Sequence, residues 1–232
     1  MHRTFFFFSA TAAAEEGRAY TCDESLGDVP LTKVLYASIQ AEDERDKGVR
    51  FAAVTCIPNE AFVDHDTPLS LTEKMPNLIS IGDRAFKGFK GGDFTFRTLD
   101  ETYLPKLEHI GEEAFAQFVQ PAEDRFKISI QLNDMPSLIS IGASAFSTFS
   151  APFMLLQIEC ECSNLEAIGQ EVFITNGYGS GSKIAFTDLA RLRSIGSNAF
   201  YNFGSRNAAN KYELVFTGVS PSLTTIGVGA FG

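Results

Sequence analysis

The sequence predicts an α/β repeat solenoid, and three observations support this fold class. A motif Ile-Gly-x-x-Ala-Phe recurs six times at intervals of 27 to 31 residues, with Val replacing Ala once. Alternating apolar and polar runs, which are typical of half-buried strands, lie between the copies. The copies differ in spacing because polar or glycine-rich stretches of different length lie between them. A repeat with a period of about 20 to 50 residues is typical of solenoids. The copies occupy residues 81–86, 110–115, 141–146, 168–173, 195–200 and 226–231.

Each unit begins with a predicted main strand. The clearest lies at residues 126–132, where Phe, Ile, Ile and Leu alternate with polar residues. Shorter runs of the same kind lie at 94–96, 183–187 and 212–217. Equivalent segments of tandem units stack in the same direction, because each unit packs only against its neighbours. We therefore expect at least five main strands in one parallel sheet.

The motif itself predicts a turn followed by a short helix. A leucine three residues before the isoleucine, as in Leu138 and Ile141, favours a short extended segment. The glycine after it permits positive φ or a close approach of the backbone to the adjoining unit. Acidic residues such as Glu112 then suit a helix N-terminus. Ala, Phe and a second Phe form an apolar stripe of about one and a half helical turns, which packing must stabilise.

Phenylalanine is unusually frequent, with 22 residues against no tryptophan. Most of the excess lies in two positions of the repeat, the motif phenylalanine and a second one three residues later. We expect the motif phenylalanines to form one buried column in which each ring contacts the next, with Phe231 as the outlier. The column would stabilise the fold by about 2 to 3 kcal/mol for each buried ring. Its members are Phe86, Phe115, Phe146, Phe173 and Phe200.

The complete pattern, L-x-x-I-G-x-x-A-F-x-x-F, resembles the BspA-like, Treponema pallidum-type class of leucine-rich repeats. That class carries cysteine at the final position and has a shorter period, whereas this chain has phenylalanine and longer units. A degenerate copy at 57–62 has Pro58 in the glycine position. The expected organisation is an irregular N-terminal cap region at 1–50 and a leucine-rich repeat array at 51–232. The array would contain the degenerate unit and six further units, the last of them truncated.

Charge and hydropathy narrow the classes of partner. The formal net charge is −10 and no Lys/Arg cluster occurs, which argues against nucleic acid binding. No segment is long enough to span a membrane. Residues 1–14 fit either a signal peptide with an Ala-x-Ala site or an N-terminal strand of the cap. The resemblance implies an extracellular or cell-surface location.

No set of residues predicts catalysis, a metal or a cofactor. Asp64-His65-Asp66 resembles a metal cluster, but adjacent residues in a turn rarely converge on one ion, and His65 occupies a repeat position that elsewhere is phenylalanine. The stretch 177–183 lacks the ending of a phosphate loop. No nucleophile–base signature occurs. We therefore expect a protein that is not an enzyme.

The chain has four cysteines, Cys22, Cys56, Cys160 and Cys162. Cys160 and Cys162 fall on one face of a strand, so a bond between them is expected to be strained. Bridges between these two and Cys22 or Cys56 remain open. We expect buried free thiols, because disulfide scaffolds are usually denser in cysteine.

The predicted function is a binding or adhesion module that recognises a protein or glycan through its strand face or its loop edge. The resemblance implies adhesion and surface interaction, as in bacterial and protist proteins of the class. The outward residues of the main strands would form this surface: Thr95, Arg97, Lys127, Ser129, Gln131, Gln157, Glu159, Lys183, Thr187, Glu213 and Thr217.

The alternative is a structural or self-assembling segment of a longer repeat scaffold. The sixth unit stops at Gly232, before its second phenylalanine position, and no atypical closing repeat with a polar outer face follows. We expect Leu223, Ile226 and Phe231 to lie open to water. Such a patch marks an interaction site or an aggregation liability. The chain would then be a fragment of a longer array, or would associate end to end.

Overall fold

The computed structural model describes residues 22–97, 104–118, 128–133, 135–148, 154–174, 182–203, 213–218 and 221–232. Within these ranges a short 3-10 helix, Glu24–Leu26, precedes helices α1 (Lys33–Gln40) and α2 (Glu44–Ala53). Thirteen strands follow and form two parallel sheets. Successive strands alternate between the sheets, so each strand pairs with the equivalent strand of a neighbouring unit, on both sides except at the ends of each sheet. The predicted repeat solenoid is confirmed.

The first sheet has seven strands of two residues each and contains the motif isoleucines. Its strands are parallel and in exact register, with Ile81 opposite Ile110 and Ile110 opposite Ile141. The isoleucines from Ile57 to Ile195 are buried. This sheet is formed by the segments that were predicted only as short extended pieces. In order the strands are β1 (Cys56–Ile57), β3 (Ser80–Ile81), β5 (His109–Ile110), β7 (Ser140–Ile141), β9 (Ala167–Ile168), β11 (Ser194–Ile195) and β13 (Thr225–Ile226).

The second sheet has six longer parallel strands, which are the predicted main strands. The prediction of at least five such strands in parallel order is confirmed. The predicted strand starts at Phe126, Lys127 and Tyr212 lie outside the described residues. The strands are β2 (Leu69–Leu71), β4 (Phe94–Arg97), β6 (Ile128–Asn133), β8 (Met154–Glu161), β10 (Lys183–Thr187) and β12 (Glu213–Phe216).

The segment after each motif glycine is a series of turns, which differs from the short helix that we expected. The second residue after the glycine adopts a left-handed conformation, as at Arg84 (φ 53°), Glu113 (φ 52°) and Ser144 (φ 54°). A left-handed residue cannot continue a right-handed helix. Instead the backbone N–H groups point to the next unit, and Phe86 N donates to Ala114 O at 2.8 Å. The same bond recurs from unit to unit and forms a third ladder between the two sheets.

The motif glycines allow neighbouring units to approach closely. A Cβ on Gly142 would lie 2.5 Å from the backbone nitrogen of Glu112 in the preceding unit. Equivalent clashes would occur at the other five motif glycines, and none of the six has a positive φ. Of the two reasons that the sequence suggested for glycine, close approach is therefore the correct one.

The motif phenylalanines form the predicted buried column. Phe86, Phe115, Phe146, Phe173 and Phe200 stack with ring centroids 5.0 to 5.4 Å apart. The column extends one unit further in each direction, to Phe62 and to Phe231. Phe231 is 52% exposed whereas Phe86, Phe115, Phe146 and Phe173 are fully buried, so the predicted outlier is confirmed.

An N-terminal segment covers the first unit. Leu31 N donates to Cys56 O at 2.8 Å, and Pro30 forms a parallel bridge with Cys56, which extends the seven-stranded sheet beyond β1. Tyr36 of α1 packs edge-on against Phe51 of α2 and against Phe62 of the column. The side chains of Thr32 and Asp43 cap the two helices. We call residues 22–53 the cap.

The expectation of free thiols is wrong. Disulfides join Cys22 to Cys56 and Cys160 to Cys162, and none of the four cysteines is free. The first bond ties the cap to the first strand of the repeat array. The second joins neighbours at the end of β8, where the Cα atoms are 5.2 Å apart, which is within the usual range for disulfides. Both side chains point inward because residues two apart along an extended strand lie on the same face.

Candidate binding surface

The outward face of the six-stranded sheet is the candidate binding surface, and strand alternation produces it. In β6, Ile128, Ile130 and Leu132 are buried in the core, while Ser129 and Gln131 turn outward. Successive side chains of a strand point to opposite faces, so a run with this pattern places every polar residue on one side. The side chains of Ser129 and Gln131 are half-buried between their neighbours. This crowding restricts their rotamers before any ligand binds.

The register of the strands brings five predicted residues into one row. Arg97 lies opposite Gln131, Gln131 opposite Gln157, Gln157 opposite Lys183, and Lys183 opposite Glu213. We call these five positions the central row. Adjacent parallel strands are about 4.8 Å apart, so the five positions follow one another at that interval across the sheet. A second row begins with Thr95 opposite Ser129.

An ion pair lies beside the central row. Lys183 Nζ and Glu159 Oε2 are 2.9 Å apart on adjacent strands. This hydrogen bond to Glu159 raises the pKa of Lys183 above its usual value, and the charge of Glu213 acts in the same direction. Lys183 and Glu159 remain 30% and 45% exposed. The surface therefore offers both signs of charge within reach of a ligand.

The other predicted residues lie on or beside the same face. Thr187 donates a hydrogen bond from its hydroxyl to Cys160 O at 3.3 Å. Thr217 follows β12, is exposed, and donates its backbone N–H to Phe186 O at 3.1 Å. Lys127 lies outside the described residues. The other predicted side chains that the structure describes therefore lie on or beside this face.

Sequence reasoning missed several outward residues of this sheet. Ser70 in β2, Asn133 in β6 and Glu161 in β8 also point outward. Applying the two-residue alternation along the whole of each strand would have predicted them. Three further outward positions are apolar: Leu155, Ala185 and Val215. The face is therefore less uniformly polar than we expected. Leu155 and Val215 are half-buried and supply apolar surface that a ligand can cover favourably, whereas Ala185 is buried.

The Asp64-His65-Asp66 stretch has a structural role. His65 occupies the second phenylalanine position of its unit and stacks on Phe89 of the next unit with ring centroids 6.0 Å apart, and its Nε2 lies 2.9 Å from Thr67 Oγ1. Asp64 pairs with Lys90 at 2.8 Å, which lowers the pKa of its carboxyl group. Within the ranges described above, no group of three or more His, Cys, Asp and Glu side chains could hold a metal ion.

A serine–histidine contact lies on the other sheet. His109 Nδ1 and Ser140 Oγ are 2.9 Å apart at facing positions of β5 and β7. Burial lowers the pKa of His109, with the charge of Glu108 acting in the opposite direction. Facing side chains of adjacent strands come this close as a consequence of register. The pair is a cross-strand hydrogen bond within the sheet.

The two parallel sheets and the recurrent Leu-x-x-Ile-Gly motif define this chain as a leucine-rich-repeat-like solenoid. A crystal structure of a leucine-rich repeat protein from Bacteroides ovatus is similar to it at 15% sequence identity, with a TM-score of 0.25, over 78% of this chain and 68% of that one. No family model matches the chain. No curated protein matches it either. In the part of the chain that the structure describes, no helix is long and apolar enough to cross a membrane.

Proposed function

We propose that the chain is a non-enzymatic binding module whose six-stranded sheet face docks a protein or glycan ligand. The observation that supports this most directly is the central row, in which Arg97, Gln131, Gln157, Lys183 and Glu213 lie in register across five parallel strands. Solenoids typically use such an extended face for recognition. The function follows from this surface and not from the fold alone.

The partial burial and the mixed charge of the side chains on this face favour specific binding. Half-buried residues such as Gln131 and Gln157 lose less rotamer freedom on binding than fully exposed ones. Lys183 and Glu159 lie within the face, and Glu213 lies on the edge strand β12. Both signs of charge on one surface select partners with the complementary pattern. A protein surface supplies such a pattern, whereas a neutral glycan would engage the amide and hydroxyl groups.

The test is affinity capture from native cell-surface and cytosolic material, with the immobilised chain as bait. The disrupting variant is Lys183→Glu, which reverses the charge of a positive side chain within the central row. The matched control is Arg193→Glu, since Arg193 precedes β11 on the other sheet and is 67% exposed. We expect one set of bound proteins or glycans to be lost with Lys183→Glu and retained with Arg193→Glu. Equal retention by both variants would reject the sheet face as the binding site.

Adhesion at a cell surface, as in the BspA-like class, is the form of binding that we propose. The motif resemblance and the two disulfides support it, because disulfides form and persist mainly in oxidising, extracellular compartments. Immunolabelling of intact and permeabilised cells tests this location. Labelling only after permeabilisation would argue against a surface adhesin while leaving the binding face itself untouched.

A second candidate function is a structural segment that associates with other chains. The specific observation in its favour is the stacking of equivalent strands in both sheets, a geometry that can continue through further repeats. Light scattering across a dilution series distinguishes the two candidates. A mass that rises with concentration favours association, and a constant monomer favours the binding module.

A further inference from the structure

We propose that the turns of three consecutive units bind a neutral, extended glycan. The segments are residues 142–148, 169–174 and 196–202, and we call the surface that they form the turn platform. It contains the third hydrogen-bond ladder and is separate from the face of the six-stranded sheet. The inference therefore adds a second binding surface, with a defined class of ligand, to the strand face proposed above.

Backbone conformation places equivalent side chains of the turn platform in line. Ser144, Glu171 and Asn198 occupy the second position after the motif glycine and adopt left-handed conformations, with φ of 54°, 56° and 52°. Ser144 N donates to Gln170 O and Glu171 N donates to Ser197 O, which fixes each turn against the next. The motif phenylalanine rings of these three units are 5.4 and 5.1 Å apart. Equivalent turn residues therefore form straight rows with this spacing along the solenoid.

The turn platform is almost uncharged. Its three segments contain one charged residue, Glu171, in a chain with a formal net charge of −10. Among the residues that the structure describes, the side chains of Gln170, Glu171 and Asn198 have no hydrogen-bond partner. Their donors and acceptors are thus available to a ligand. The amide and hydroxyl side chains that are at least partly exposed on the turn platform are Ser144, Thr148, Gln170, Ser197, Asn198 and Asn202.

The corresponding turns of the first units differ, because ion pairs between units occupy them. Arg84 pairs with Glu60 at 3.0 Å, and Lys87 pairs with Glu113 at 2.7 Å. Arg84, Glu60 and Glu113 stand at the same repeat position as Asn198. Groups that already bond to each other have less capacity left for a ligand. The turn platform is therefore the part of this surface that is suited to binding.

Tyr201 adds an exposed aromatic ring to the turn platform. It follows Phe200 and is 43% exposed, although its unit has a neighbour on both sides, with motifs at 168–173 and 226–231. Ile174 stands at the same position of the preceding unit and is half-buried. An aromatic ring offers an apolar face on which the C–H face of a sugar ring can pack. Amide and carboxylate groups beside it suit the hydroxyl groups of the sugar.

Charge and spacing define the class of glycan. An acidic glycan would meet Glu171 and no cation within the three segments, so a neutral glycan fits better. A chain of β-1,4-linked pyranose rings is extended, and its advance per ring is similar to the spacing of 5.1 to 5.4 Å between these units. An α-1,4-linked chain curls away from a straight row. The ligand of the turn platform is therefore a neutral β-1,4-linked oligosaccharide.

The experiment is isothermal titration of the 232-residue chain with four hexasaccharides. Cellohexaose and mannohexaose are neutral and β-1,4-linked, maltohexaose is neutral and α-1,4-linked, and hexagalacturonate is acidic. At least one of the two β-1,4-linked probes should bind about tenfold or more tightly than the last two, a difference of about 1.4 kcal/mol. Failure of both β-1,4-linked probes to bind, or equally tight binding of hexagalacturonate, would overturn the inference and leave the strand-face proposal standing.

Two variants locate the site. Tyr201→Ala should weaken binding at least about tenfold, because truncation of a central aromatic anchor typically costs this much. Asn198→Gly should also weaken it, since the change removes the amide while glycine keeps the left-handed backbone. The matched control is Arg84→Gly, which makes the same change at the same repeat position, with φ 53°, in an earlier unit. This control should leave binding unchanged, and a loss equal to that of Asn198→Gly would overturn the assignment.

The remaining outcomes separate this surface from the strand face. Sugar binding that Lys183→Glu abolishes and Tyr201→Ala preserves would assign the glycan to the six-stranded sheet, which rejects the turn platform and supports the proposed function. Captured proteins that are lost with Tyr201→Ala, without binding of any probe, would assign the turn platform to a protein and overturn the glycan. Hydrogen exchange of the unaltered chain gives an independent measurement in case a variant misfolds. The bound probe should slow exchange in 169–174 and 196–202 and not in β6, and the reverse pattern would overturn the inference.

Discussion

The rings of Phe115 and Phe146 lie parallel within 7°, with their centroids 5.2 Å apart, in the middle of the aromatic column. The backbone explains the alignment, because Phe115 N donates to Ala145 O at 2.8 Å and fixes the two units at one separation. Perpendicular rings from the neighbouring main strand, such as Phe96, pack against the column from the side. One unit therefore positions the core of the next.

Replacement of Phe146 by Ala should lower the free energy of unfolding by about 3 to 5 kcal/mol, because it removes a fully buried ring and leaves a cavity. Urea or guanidinium denaturation measures the change. The control is Phe231→Ala, which removes the half-exposed ring at the end of the same column and should cost clearly less. A loss below about 1 kcal/mol for Phe146→Ala would mean that the column is not the core.

Gly142→Ala should destabilise the chain by about 1 to 3 kcal/mol or prevent folding, since overpacking costs about this much. The added methyl group would lie 2.5 Å from Glu112 N, so two units would have to move apart. Gly48→Ala is the matched control. Gly48 lies inside α2, where a Cβ meets nothing closer than 3.8 Å, and the same substitution should stabilise by about 0.5 to 1 kcal/mol. Thermal melts of both variants check the opposite signs, and equal effects would contradict this account of the motif glycine.

The sequence was sufficient to predict the solenoid, the parallel main strands and the phenylalanine column, because all three follow from period and alternation. It was not sufficient to distinguish a short helix from consecutive turns. Apolar residues at relative positions 0, 1 and 4 fit both, and the left-handed residues that decide the matter are mostly not glycine. Arg84, Glu113 and Ser144 adopt positive φ because hydrogen bonds to the next unit hold them there. Those bonds are tertiary and leave no local signal.

The candidate site was predictable to a similar extent. The alternation of apolar and polar residues predicted the strand face and most of its polar residues, including Gln131 and Gln157. The central row depended on register between distant strands, which the loops of unequal length conceal in the sequence. The pairing of the cysteines was missed for a related reason. Cys22 and Cys56 are 34 residues apart in the chain and are brought together only when the cap folds onto β1.

Stability should fall as the pH drops from about 7.5 towards 5, and His109 should account for part of the fall. Burial lowers its pKa in the folded state below the ordinary value of 6.5. Between the two pKa values the unfolded chain binds more protons, so folding stability is lost as the pH falls through 6.5 towards the folded pKa. Burial also lowers the pKa of His65.

The measurement is the urea midpoint at several pH values for the unaltered chain and for His109→Gln. The variant should show a shallower decline over this window. His65→Phe introduces the residue that stands at the equivalent repeat position, Phe89, and should remove the contribution of the second histidine. A decline of the same slope in all three proteins would exclude the histidines as its cause.

Thiol titration should find no reactive thiol in the denatured, unreduced chain and four after reduction, because both cysteine pairs are disulfides. The double variant Cys160→Ser, Cys162→Ser tests the pairing. It should also show no free thiol before reduction, since Cys22 remains bonded to Cys56. Crossed pairing would instead release both Cys22 and Cys56 in this variant. The second double variant, Cys22→Ser, Cys56→Ser, should loosen the cap, and hydrogen exchange in α1 and α2 should rise while exchange in β6 stays unchanged.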